Sequence, residues 1–112
     1  MRRPIPRSLL PHSARLFTET TDAWQHSFLT EICNLEHIRI EASEHLRTDE
    51  QNNVKTRKWL LFFDCCHSLP RGTIFSPGQI VEWLGHRLTI LQVTPVWEDR
   101  QLHHYEVKLQ GL

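Results

Sequence analysis

Nowhere in this sequence do about 20 consecutive apolar residues occur, the length an α-helix needs to cross a bilayer, so no membrane partner is expected. The opening residues, broken by Pro4 and Pro6, also lack the apolar core of roughly 7 to 15 residues that marks a signal peptide. There are four glycines in all, and none falls in a motif that could cradle a phosphate. The three cysteines, Cys33, Cys65 and Cys66, are an odd number, and the adjacent pair could bond to itself only through a strained small ring. A disulfide framework is therefore not expected, and reduced thiols of a protein made in a cytoplasm are. Net charge is absent too: thirteen Lys and Arg balance thirteen Asp and Glu, which argues against the basic excess of an autonomous nucleic-acid binder.

The charge that is present is unevenly placed. Residues 1 to 18 hold Arg2, Arg3, Arg7 and Arg15 and no acid, so the other nine bases face all thirteen acids in the remainder. Pro4, Pro6 and Pro11 lack backbone donors and restrict the residues before them, so the start reads as an extended, basic N-terminal arm, residues 1–12. The remaining residues, 13–112, are the size of a single domain. A core this small gains from neighbouring subunits, which makes oligomerisation plausible at the outset.

Strand periodicity dominates that domain. Ser13 to Thr20 alternates Ala14, Leu16 and Thr18 against Arg15, Phe17 and Glu19. Phe28 to Ala42 is rich in Leu, Ile and Phe, but its alternation changes parity between Leu35 and Ile38, which predicts a β-bulge or break near Glu36. Trp59 to Asp64 (WLLFFD) reads as a central strand covered on both faces. Gln79–Leu84 and Arg87–Val93, joined through Gly85 and His86, read as a hairpin; Pro95 is expected to break its second strand, and Glu98–Gln101 to turn into a last strand, Leu102–Leu109. The fold class is mainly β: a small six- to seven-stranded antiparallel barrel or sandwich. Its core is expected to include Trp59, Leu61, Phe63, Trp83, Leu88, Ile90, Tyr105 and Val107. Between Ala42 and Trp59 lies one long polar loop, Glu44 to Lys58, fifteen residues with two aliphatic side chains and no Gly or Pro. Its length exceeds the usual connection in a small domain, and such loops are often functional.

Chemistry is hard to place on this framework. Cys65, Cys66, His67, His103 and His104 invite a metal reading, yet structural zinc prefers ligand pairs two to four residues apart, and neighbours in a strand point to opposite faces. Cys65 and His67 could face a His103 or His104 ligand, but packed cysteines and surface histidines are the simpler account. A thiol nucleophile beside Asp64 would sit next to a carboxylate that raises its pKa. No catalytic residues, metal or cofactor are expected, and the chain reads as non-enzymatic.

Four stretches together carry a resemblance: the opening PIPRSLLPHSA (Pro4–Ala14), HIRIEAS (His37–Ser43), LFFDCCHSLP (Leu61–Pro70) and the ending LHHYEVKL (Leu102–Leu109). With FSPGQIVEWLGHRLTILQV (Phe75–Val93) between them, the chain resembles the minor capsid protein family of siphophages and Gram-positive prophages. The resemblance implies a head-completion or stopper-type protein of the head–tail connector, assembled as a homo-oligomeric ring in virions formed in the bacterial host cytoplasm. Portal and adaptor proteins would lie above the ring and tail proteins below, with non-specific contact to packaged DNA. It further implies that the arm (Arg2, Arg3, Pro4, Ile5, Pro6, Arg7) reaches a neighbouring ring component. The polar loop, with Glu44, Arg47, Asp49, Glu50, Lys55, Arg57 and Lys58, would face the channel or another subunit. The competing reading is a small barrel that binds nucleic acid directly through Arg2, Arg3, Arg7 and the Lys55, Arg57, Lys58 cluster.

Overall fold

The computed structural model describes residues 3–43 and 57–111. Six strands, β1 (His12–Thr21), β2 (Ser27–Ala42), β3 (Arg57–Asp64), β4 (Ile80–Trp83), β5 (His86–Glu98) and β6 (Gln101–Gly111), form one closed barrel. They pair antiparallel in the order β1, β2, β3, β6, β5, β4, and β4 closes the ring against β1 at Arg15–Phe17. Closure leaves few free sheet edges, the liability of any isolated β domain.

Alternation decides which face each strand buries. Leu61 and Phe63 of β3, Val107 and Leu109 of β6, and Ile38 and Ile40 of β2 point inward and are buried; Leu60 and Phe62 lie on the outer face of β3 and are half-buried. Of the core expected from the sequence, Leu61, Phe63, Leu88, Ile90 and Val107 are buried, while Trp59, Trp83 and Tyr105 pack at its edge. Ala14, Leu16, Leu35, Val81 and Phe75 complete it. Phe75 comes from the irregular segment between β3 and β4, where turn chemistry masks its role; its ring meets Phe63 edge-on at 5.3 Å and Tyr105 at 6.1 Å. The interior is thus filled by side chains.

The change of parity between Leu35 and Ile38 is a bulge in the structure. Opposite His12 and Ser13, β2 carries one extra residue, His37, in the left-handed region at φ 55°, one position from the expected irregularity at Glu36. Ile32, Leu91 and His103 are further extra residues by the same test of register. The β4–β5 connection is a two-residue turn, Leu84–Gly85, with φ of 50° and 79°, the type I′ geometry that matches strand twist.

Two expectations need correcting. Pro95 does not break the hairpin: it sits within β5, opposite Tyr105. Beyond Thr89, β5 has no partner strand on its β4 side, so a residue without an N–H can stand there without orphaning an internal ladder acceptor. Arg57 and Lys58, read from the sequence as the end of the polar loop, already pair with Gly111 and Gln110 as the start of β3, while residues 44–56 lie outside the described residues. Strand pairing to β6 outweighs their local polarity.

Candidate functional site

β1, β3 and β5 run in one direction, and the register sets the end of β3 beside Ile38 of β2, which also pairs with His12 at the start of β1. There the N-terminal segment lies on the molecule's own outer surface. After a single 3-10 turn over Arg7–Leu9, Leu10 is 1% exposed and anchors the segment. Upstream it is fastened by polar groups.

Asp64 is the centre of that fastening. It is the last residue of β3, fully buried, and its carboxylate accepts the amide of Ile5 at 3.0 Å and those of Cys66 and His67 at 3.0 and 2.7 Å. A buried carboxylate is tolerated because three N–H groups replace its water. Ser68 completes the turn: its hydroxyl meets the Asp64 amide and the carbonyl of His37, the bulge residue of β2. His67 Nδ1 in turn donates to the Ile5 carbonyl at 2.9 Å, so both backbone groups of Ile5 are held. Asp64 was missed as a site residue by sequence reasoning. Its signal was an acid at the end of an apolar strand, just before a tight turn, where Asx bonding to the next amides is common.

The remaining arm contacts use histidine. His103 Nε2 reaches the Arg3 carbonyl at 2.5 Å, and Arg7 donates to His37 Nε2 at 2.8 Å. His103 Nδ1 and His104 Nδ1 are 2.7 Å apart, and His104 Nε2 is 2.9 Å from Glu106 Oε2. Adjacent strand residues should diverge; here the extra residue at His103 turns both rings to one side. Cys65, Cys66, His67, His103 and His104 therefore gather near the arm, but among the described residues no group of three or more His, Cys, Asp or Glu is arranged to hold a metal ion.

Of the arm residues singled out, Arg3, Pro6 and Arg7 are exposed, Pro4 and Ile5 are half-buried, and Arg2 lies outside the described residues. Of the loop residues, Glu44, Arg47, Asp49, Glu50 and Lys55 lie outside them, and Arg57 and Lys58 belong to β3. The structure does not bring the Arg57, Lys58 pair to the arm: they begin β3 at the end of the barrel opposite Asp64. Large apolar side chains are exposed, Trp24 in the β1–β2 turn at 78% and Trp97 near the end of β5 at 60%. The Trp24 turn is held by Asp22, which accepts the amides of Trp24 and His26.

Electrostatics elsewhere are local. On the outer face Arg15 bridges Glu31 and Glu82 at 2.9 and 3.4 Å; hydrogen bonding to Glu31 raises the guanidinium pKa and lowers that of Glu31. Burial raises the Cys33 thiol pKa, partly offset by a hydrogen bond from Thr73. Burial and then Arg39 lower the pKa of His12, whose Nδ1 accepts the Ile40 amide at 3.0 Å.

Against known proteins, a sequence model of the minor capsid protein family matches residues 6–109, nearly all of the chain. No curated protein and no solved structure matches it. Among the described residues no helix is long and apolar enough to cross a membrane.

Proposed function

The chain belongs to the minor capsid protein family, which makes it a structural component of the virion, and from that premise we propose that it completes the head at the head–tail junction. In this reading it is a non-enzymatic stopper-type connector subunit. Copies form a homo-oligomeric ring that retains packaged DNA, contacts portal or adaptor proteins on one side and receives tail proteins on the other.

The observation that carries the proposal is the family match over residues 6–109. Two features of the barrel support it. Its interior is filled by Leu16, Leu35, Ile38, Leu61, Phe63 and their neighbours, so one subunit has no lumen for DNA and a channel would have to form between copies. Exposed Trp24 and Trp97 supply the aromatic anchors on which interfaces commonly depend.

Particles assembled without the protein test the reading directly. They should package DNA, lose it on storage and fail to join tails, and supplying the protein should restore both. Replacing residues 44–56 by a Gly-Ser connection should preserve the fold, because closure entropy changes slowly with loop length, while DNA leaks. Stable, tailed, DNA-filled particles lacking the protein would overturn the proposal. Direct DNA binding by the isolated subunit, falling steeply with salt, would favour a nucleic-acid-binding barrel instead.

A further inference from the structure

The contacts of His103 and His104 impose a proton count. The Arg3 carbonyl, 2.5 Å from His103 Nε2, accepts only, as does the ionised Glu106 carboxylate 2.9 Å from His104 Nε2. Both Nε2 atoms must therefore carry a proton. Between the two Nδ1 atoms, 2.7 Å apart, one must donate and the other accept. The pair then holds three protons on four nitrogens: one ring neutral, one imidazolium, one positive charge in total. Two protons leave a contact unmade or two lone pairs facing each other; four set N–H against N–H. Both rings are 13% exposed, so water does little to relieve either mismatch.

We propose that His103 and His104 form a single-proton latch that holds the N-terminal arm on the barrel in one protonation state of the pair and loosens it when pH leaves that state in either direction. The charges around the pair suit this state. Glu106 of β6 faces His104, and Glu98 of β5 lies 3.6 Å from His103 Nε2, so two carboxylates flank the single shared charge and favour it. Asp64 at the end of β3, opposite His104 in register, is occupied by three amides, and His67 donates to Ile5 whether charged or neutral. On the arm, Arg3 contributes its carbonyl to the pair, and Arg7 requires a lone pair on His37 Nε2. Protonating His37 therefore adds to release on the acid side, and the alkaline side isolates the pair. The latch is independent of the connector reading: it governs when residues upstream of Leu10 are free to meet another chain, whatever that chain is.

Nitrogen-detected NMR of the histidine rings over a series from about pH 4.5 to 9, alongside hydrogen exchange at the Ile5 amide corrected for its intrinsic rate, tests the latch. The expected result is a three-proton pair where Ile5 is best protected, with protection falling about tenfold on the alkaline side as one charge-assisted contact is lost. His104→Gln keeps a donor to Glu106 and removes the Nδ1 partner, so the alkaline fall should vanish while the arm stays docked. Glu106→Gln leads to the same outcome by another route, because a carboxamide can donate to a neutral His104, and it serves if the first variant does not fold. Two neutral rings beneath a docked arm, or an alkaline fall unchanged in either folded variant, would overturn the latch.

Discussion

The carboxylate of Asp64 accepts the amide of Ile5 at 3.0 Å, joining the end of β3 to a residue 59 positions earlier in the chain. Because the same carboxylate serves Cys66 and His67, removing it leaves three amides without their acceptor under the arm. Asp64→Ala should cost about 3 kcal/mol, and Asp64→Asn less, since one oxygen remains to accept. Urea unfolding measures both; an Ala variant within about 0.5 kcal/mol of the parent would mean that water replaces the carboxylate freely.

Phe63 is 1% exposed and packs edge-on against Phe75. Phe63→Ala should lose roughly 3 to 5 kcal/mol through lost burial and the cavity left behind. A loss below about 1 kcal/mol in the same unfolding experiment would place this ring at a surface instead.

Removing residues 1–6 deletes the partners of Asp64, His67 and His103 but spares Leu10. The shortened chain should still fold, with stability lower by about 1 to 2 kcal/mol, and in particles it should fail to assemble. Loss of the native circular dichroism spectrum would show that the arm is part of the folding unit.

Burial and Arg39 lower the pKa of His12 in the folded chain, so the unfolded chain binds its proton more readily. Stability from this residue is complete above the ordinary histidine pKa and is lost as pH falls through that value toward the lower folded one. His12→Asn, which keeps an acceptor for the Ile40 amide, should flatten the acid side of the stability–pH curve; an unchanged difference between variant and parent from about pH 7 to 5 would refute this.

Leu84 occupies the first central position of a type I′ turn at φ 50° and is 76% exposed, so it has backbone strain and no packing to offset it. Leu84→Asn should raise the thermal midpoint, with a gain of roughly 0.5 to 1 kcal/mol. A destabilised variant would point to a packing role for Leu84.

By itself the sequence determined the strands and their faces. Inward and outward residues alternate through WLLFFD and the Tyr105–Leu109 stretch, and a bulge must occur wherever that parity changes, as it does at His37. It also carried the family, through motifs spread along nearly the whole chain. Only the tertiary structure decided that the strands close into a six-stranded barrel, that Phe75 fills its interior, and that the arm lies back on its own subunit. Periodicity reports which face a residue takes, not which distant residue stands opposite. The bond from Ile5 to Asp64 and the meeting of the His103 and His104 rings arise from long-range pairing and from one extra residue in a ladder, and no local pattern of apolar and polar side chains encodes either.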